Sequence, residues 1–278
     1  MKTYKQIIKE YAPLLREVTH IPQKEVEILI LHLVRQNTIW LHLNYDKECT
    51  CQKELEKLVK KRATNYPLEY ITKRASFYGE VFEVADGVLI PRPETEILVE
   101  KAENLLRIIK EKQSKTRVVE IGTGSGIISV MLAVLLDDIE IIAVDINDKA
   151  LELAQRNAKK FGVEDKITFI KSDLYTNISD DEEFDLCISN PPYIANNYKL
   201  PLNVKYEPSN ALFGGEAGDE LLIDIINDTK QRGIPYLYCE MGYDQKKPLG
   251  KYMEQFSPKK VEFYKDFDKF DRGFTVEF

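Results

Sequence analysis

From residue 117 onwards, five short apolar runs alternate with stretches of helical spacing. The runs are "RVVEI" (117–121), "EIIAVDI" (140–146), "ITFIKSD" (167–173), "FDLCISN" (184–190) and "PYLYCEM" (235–241), and "NDKALELAQRNAKKFG" (147–162) typifies the stretches between them. Runs this short and this continuously apolar read as strands buried on both faces, which requires helices packed on either side. Strands that take turns with helices imply parallel pairing through crossover connections. The expected fold class is therefore α/β: a doubly wound, mostly parallel sheet. The tail runs "KVEFYKD" and "FDRGFTVEF" have no helix between them, so they are expected to add an antiparallel hairpin at one edge.

The first 75 residues carry no strand signal. "PQKEVEILILHLVRQ" starts on Pro22, a favourable first-turn residue, with Val26, Leu29, Ile30 and Leu33 at helical spacing. "CQKELEKLVKKRATN" puts Leu55, Leu58 and Val59 on one face, with Thr50 as its expected N-cap. A small helical domain over 1–75 follows. Residues 76–92 then recur in aromatic and apolar residues up to Asp86-Gly87, a hairpin-turn dipeptide, and are expected to form a β-hairpin linker. The α/β domain would occupy 93–278, with its first helix running from Pro93 to about Lys112.

Composition narrows the chemistry. No apolar run reaches the ~18 residues of a membrane helix, and the charged N-terminus does not read as a secretory signal. Cys49, Cys51, Cys187 and Cys239 lack paired zinc spacing and are expected to be reduced, which points to the cytoplasm. Residues 1–75 hold 14 Lys and Arg against 9 Asp and Glu, a net of +5; residues 76–278 hold 25 against 37, a net of −12. An acidic body suits a long phosphate backbone poorly. The basic front segment is either a solvated helical face or a contact for nucleic acid or an acidic protein. His20, His32 and His42 are the only histidines, so a Ser-His-Asp triad, a Cys-His pair and a histidine metal cluster are excluded beyond residue 42.

Ligands of open α/β sheets bind beyond the C-terminal ends of the strands. The first run ends in "EIGTGSG", where Gly122, Thr123, Gly124, Ser125 and Gly126 form a tight loop that a ligand can approach closely. The spacing is neither G-x-G-x-x-G nor a P-loop. Asp145 stands at the second tip, 19 residues beyond Gly126, where a carboxylate can accept from ribose hydroxyls; Asn147 is the better N-cap of the helix that follows. Asp173, followed by Leu174, stands at the third, within reach of an adenine amino group. A nucleoside site without a phosphate cradle suits S-adenosylmethionine better than NAD or ATP.

The fourth tip is Asn190-Pro191-Pro192-Tyr193. Neither proline has an N–H, so the turn displays carbonyls, and Asn190 adds a side-chain acceptor. Asn190 and the Pro191 carbonyl can hold the two hydrogens of a planar –NH₂ group, with Tyr193 packed over its flat face. That is a site for methyl transfer to the nitrogen of an amide or of an amino-aromatic base. Rate would come from positioning and from acceptors that favour the pyramidal nitrogen of the transition state.

A glycine loop followed by Asn-Pro-Pro-Tyr resembles the amino-group methyltransferases that use S-adenosylmethionine. More closely, the chain resembles the HemK/PrmC family, protein-glutamine methyltransferases that act on class 1 peptide chain release factors. "PLEYIT" (67–72), "FYGEVFEV" (77–84), "GVLIPRPETE" (87–96), "GTGSGIISV" (122–130), "SNPPYI" (189–194), "YEPSNALFGGEAGDE" (206–220), "EMGYDQ" (240–245) and "KDFDKFDR" (265–272) carry the resemblance in order. It implies a helical N-terminal domain, a hairpin and a Rossmann-like catalytic domain. It implies that Gly122 to Gly126, Asp145 and Asn190 bind S-adenosylmethionine, and that Asn190 to Tyr193 hold the glutamine of a Gly-Gly-Gln loop. Glu120 stands where the family often has Asp, and Leu174 where some members carry an aromatic. Arg92 could hold the methionine carboxylate or the substrate backbone, while Glu94 and Glu96 either complement a helix N-terminus or serve the site. The alternative expectation is methylation of an exocyclic amine of guanine or adenine in RNA or DNA.

Overall fold

The computed structural model describes residues 2–278. The chain divides into two compact units, Met1–Arg74 with Leu200–Tyr206, and Ala75–Lys199 with Glu207–Phe278.

The first unit is helical: α1 (Tyr4–Tyr11), α2 (Pro22–Val34), α3 (Thr38–Leu43), α4 (Gln52–Arg62) and α5 (Leu68–Thr72). A capping box starts α1, with Thr3 Oγ1 accepting from the Gln6 N–H and Gln6 Oε1 accepting from the Thr3 N–H. Pro22 opens α2 as expected. Asn37 caps α3 by accepting from the Trp40 N–H at 2.9 Å. Thr50 does not cap α4. That helix starts one residue later, Cys51 occupies the N-cap without a side-chain bond, and the Thr50 hydroxyl lies 3.2 Å from that of Tyr4. Ile7, Leu15, Val26, Leu29, Ile30, Leu41, Leu55 and Val59 form a fully buried core. Beside it the Arg62 guanidinium clasps the Glu25 carboxylate at 2.6 and 3.1 Å. Leu200–Tyr206 joins this unit; the Tyr206 hydroxyl donates to the Thr64 carbonyl at 3.0 Å.

Strands β1 (Arg74–Phe77) and β2 (Glu80–Glu83) form the hairpin. Its turn is Tyr78-Gly79, both at positive φ, rather than Asp86-Gly87, which lies three residues beyond β2. Phe77 and Phe82 pack edge to face and are fully buried in the core of the α/β unit.

That unit comprises α6 (Thr95–Lys110), β3 (Thr116–Ile121), α7 (Ile127–Leu135), β4 (Ile139–Asp145), α8 (Asp148–Phe161), β5 (Ile167–Lys171), β6 (Leu186–Ser189), β7 (Ile194–Ala195), β8 (Phe213–Gly215), α9 (Glu220–Gln231), β9 (Tyr236–Glu240), α10 (Lys246–Met253), β10 (Lys260–Lys265) and β11 (Asp271–Glu277). The seven-stranded sheet has the order β10-β11-β9-β6-β3-β4-β5. The strands from β9 to β5 in that order are parallel, and β11 and β10 pair antiparallel at one edge. The sheet is thus mostly parallel with an antiparallel edge hairpin, as the alternation and the helix-free tail predict. Alternate strand residues face opposite sides. Val118, Ile141, Ala143, Leu186 and Ile188 share one core with α6, α7 and α8, whereas Val119, Val144, Cys187, Leu237 and Cys239 share the other with α9 and α10. From β3 the chain winds outward to β4 and β5, then returns to place β6 on the other side of β3. A crevice opens between the loops after β3 and β6 at such a switch point.

Candidate active site

A cleft partly open to solvent, about 820 Å³ with its open mouth counted, lies at that switch point. Its lining takes in Gly122 and Gly124 after β3, Asp145 at the end of β4, Asp173 and Leu174 after β5, and Asn190 and Pro192 after β6. The far wall comes from Gly87 to Leu89 and from Pro208, Asn210 and Ala211. A smaller cavity of about 340 Å³ adjoins it, sharing Leu89, Gly122, Gly124 and Asn190 and adding Arg92, Thr95, Glu120, Thr123 and Ser125. The four strand tips named from the sequence therefore meet in one place.

The glycine loop divides its duties. Gly122, Gly124 and Gly126 all have positive φ, a region that glycine enters without cost. Gly122 and Gly124 have open space where a Cβ would stand, on the cleft side. Gly126 lines neither cavity. A Cβ there would sit 2.9 Å from that of Ala154, so its glycine lets α7 start hard against α8.

Asp145 is held in place by its backbone neighbours. Its Oδ2 accepts from the Gly124 N–H at 2.8 Å and its Oδ1 from the Asn147 N–H at 2.9 Å. Burial raises its pKa against these bonds. Asn147 is the cap of α8, accepting from the Lys149 N–H, and its Nδ2 donates to the Gly87 carbonyl, which ties the far wall to the β4 tip.

Glu120 is the most informative group in the smaller cavity. It is 1% exposed. Its Oε2 accepts from the Thr123 hydroxyl at 2.8 Å, from the Ser129 N–H at 3.2 Å and from the Ser129 hydroxyl. Its Oε1 is buried without a partner. Burial pushes its pKa up to about 7, opposed by the two hydroxyls. A desolvated carboxylate with one free oxygen at a cavity wall is suited to a cation.

At the fourth tip, the Asn190 Nδ2 donates to the Thr95 hydroxyl at 3.0 Å. The side-chain carbonyl Oδ1 is the end left free to accept. Asn190 lines both cavities. Pro192 lines the larger one, and its carbonyl backs onto Gly214, where a Cβ would clash at 2.4 Å. Within "ALFGGEAGDE", Gly214 and Gly218 lie directly against this turn, a Cβ on Gly218 meeting the Tyr193 carbonyl at 2.7 Å. Pro191 is buried and lines neither cavity. Tyr193 lines neither. Its ring packs on the core beside α9 and α10, its hydroxyl accepts from Arg272 at 3.4 Å, and its carbonyl accepts from Gln245 Nε2 at 2.9 Å. Burial pushes its phenol up to about 12.

"IPRPETE" resolves into separate tasks. Arg92 pairs with Glu207 at 2.6 Å, and the other oxygen of Glu207 accepts from the Ile90 N–H at 3.0 Å. "YEPSNALF" is thereby bound to this segment. Glu96 accepts from the Tyr78 N–H in the hairpin turn. Glu94 precedes α6 without capping it. Thr95, fully buried, reaches Asn190. Residue chemistry alone did not single out Thr95 or Glu207; both lie inside motifs quoted for the family resemblance. Val88, Leu89 and Asn210 line the site from loops, where no periodicity announces a role.

Residues 97–205 match the methyltransferase small domain, and residues 6–72 match the PrmC N-terminal domain. Release factor glutamine methyltransferase of Clostridium acetobutylicum is 32% identical over 280 residues, covering 98% of this chain and 97% of its own. The Dictyoglomus turgidum protein of the same name is 40% identical over 230 residues, covering 77% and 79%.

The chain belongs to the release factor glutamine methyltransferase family. It is a methyltransferase. Among solved structures, the N-terminal domain of human METTL16 in complex with SAH has a TM-score of 0.55 at 20% identity, covering 71% of this chain and 75% of that one. The likeness is one of fold. Among the described residues no helix is long and apolar enough to cross a membrane, and no cluster of His, Cys, Asp and Glu could hold a metal ion.

Proposed function

We propose that the protein transfers a methyl group from S-adenosylmethionine to the side-chain amide nitrogen of the glutamine in the Gly-Gly-Gln loop of class 1 release factors, and so acts in translation termination in the cytoplasm. The single observation that carries this reading is Asn190, which lines both cavities with its nitrogen anchored and its carbonyl left to accept.

The cofactor fits the residues present. The unpartnered Glu120 oxygen matches the ammonium of its methionine end, Asp145 matches a ribose diol, and the cleft that joins the four strand tips is lined mainly by apolar and backbone groups, as a nucleoside site is. Gly122 to Ser125, Asp145, Asp173 and Leu174 would hold it, with Gly126 shaping the loop from behind. When bound it supplies an electrophilic methyl group.

The rest is positioning. Asn190 Oδ1 accepts a hydrogen of the substrate amide, which aims the nitrogen and favours its pyramidal form, and Pro191 acts from behind by stiffening the turn that carries Asn190. Tyr193, locked by Arg272 and Gln245, fixes the same turn. Arg92, through Glu207, holds the far wall against which the substrate lies. A low-dielectric wall makes each of these interactions stronger than it would be in water. The helical region 1–75, matching the PrmC N-terminal domain, would recognise the release factor, 76–92 would link, and 93–278 would catalyse.

Purified protein, labelled S-adenosylmethionine and either release factor or ribosomal RNA test the reading. The expected label is on the glutamine by mass spectrometry. Label found only in RNA overturns it in favour of base methylation. Asn190→Ala should keep its circular dichroism and lose roughly 10²–10³ in kcat.

A further inference from the structure

An asparagine side chain has two nearly isosteric ends, and only one of them can accept a hydrogen bond from a substrate –NH₂. Something must choose between them. The partner of Asn190 is a threonine hydroxyl, which can donate or accept and so does not choose by itself.

We propose that Glu240, acting through the Thr95 hydroxyl, is a positioning residue that holds the Asn190 amide nitrogen inward and its carbonyl toward the substrate; this rests on the role given to Asn190 above. Glu240 ends β9, the strand next to β6, and is 1% exposed. Both of its carboxylate oxygens are buried without a hydrogen-bond partner. Thr95 is fully buried on α6, which packs on β9. The oxygen of its hydroxyl already accepts from Asn190, so its proton must find another acceptor. Glu240 is close enough for that hydroxyl to favour its charged form, although the two fall short of hydrogen-bond geometry as they stand. A hydroxyl turned to donate to a carboxylate has only lone pairs left for Asn190. The flipped amide would then oppose acceptor to acceptor in a buried place, which disfavours it by roughly tenfold or more.

The groups facing Glu240 come from every element around it. Burial raises its pKa to about 7, the Thr95 hydroxyl, Arg272 of β11 and Arg92 favour the charge, and Glu94 opposes it. Tyr193, Tyr264 of β10 and Cys239 of β9 lie in its field, each with its own acidity suppressed first by burial. Protonated Glu240 can donate to Thr95, which frees that hydroxyl to donate to Asn190 Oδ1 and releases the choice.

The test measures kcat at saturating S-adenosylmethionine and release factor from pH 6 to 9, so that titration of Glu120 in the cofactor cavity does not enter. Wild-type kcat should rise through an inflection near pH 7. Glu240→Gln keeps the volume, and should lower kcat at pH 8 by roughly tenfold or more with little change in KM and with no inflection. Thr95→Val should reproduce the loss, and Thr95→Ser should recover most of it. A merely structural role would shift the melting temperature and leave the inflection. An activity-independent reading comes from the Asn190 side-chain ¹⁵N–¹H signals, assigned by their absence in Asn190→Ala. They should titrate near pH 7 in the wild type and be flat in Glu240→Gln. Wild-type kcat, inflection and amide titration in Glu240→Gln overturn the proposal. If Glu240→Gln does not fold, the wild-type titration decides by itself: Asn190 amide signals that stay flat from pH 6 to 9 overturn the proposal. A wild-type protein that methylates no release factor overturns the proposed function alone, because the amide titration still decides the positioning.

Discussion

Glu25 in the helical unit and Glu120 in the α/β unit are both almost wholly buried, at 5% and 1% exposure, yet their surroundings differ. Glu25 has a guanidinium on both oxygens, and Arg62 also donates to the Val18 carbonyl at 3.0 Å. Glu120 has three donors on one oxygen and none on the other, and no cation pairs with it. The first arrangement pairs both carboxylate oxygens with a cation and leaves only Arg62 Nη1 without a partner. The second keeps an acceptor in reserve at a cavity wall, at a cost in stability that a structural residue would have no reason to carry. The buried carboxylate of the helical unit is neutralised by a cation, and that of the candidate site is not.

The contrast can be broken most forcefully at Arg62. Arg62→Ala leaves Glu25 buried and unpaired and should cost about 3–5 kcal/mol in chemical denaturation; a loss under 1 kcal/mol would mean that the pair is no more than a surface contact. Gly126→Ala tests whether the glycine loop is shaped by packing. A Cβ 2.9 Å from Ala154 at φ +81° should cost about 3 kcal/mol in the same assay.

Glu120→Gln sharpens the comparison through pH. A carboxyl group raised from the ordinary 4.5 to about 7 binds its proton more tightly in the folded state, so the stability it contributes is present at low pH and is lost as pH rises through 7. The variant should therefore be more stable than wild type at pH 8, by at most about 3 kcal/mol, and equal to it near pH 4. It should also bind S-adenosylmethionine roughly tenfold or more weakly, read by calorimetry at pH 8. Asn37→Ala is the small control in the helical unit. Loss of the cap on α3 should cost about 1 kcal/mol and leave cofactor binding unchanged.

Much of the candidate site is legible in the sequence because its residues sit where strands end. Asp145, Asp173 and Asn190 follow apolar runs, and a parallel sheet gathers such ends at one edge. Thr50 has the chemistry of a cap but does not serve as one, because the helix it precedes starts one residue later and the Tyr4 hydroxyl lies against its own. Asp86-Gly87 has the composition of a hairpin turn, but burial of Phe77 and Phe82 sets the register and puts the turn between them. Pro191 and Tyr193 share a motif with Asn190, yet the turn points them away from the cavities.

By itself the sequence determined the alternation of strands and helices, the mostly parallel sheet, the loops that crown it and the family, because each depends on local periodicity, turn chemistry or contiguous motifs. Only the tertiary structure decided which groups are left without partners. Glu120 and Glu240 lie 120 positions apart in the chain, and nothing in either neighbourhood says that an oxygen will be buried and unpaired. That depends on which side chains the sheet order brings across from other elements, as Thr95 is brought to Asn190 from 95 residues away.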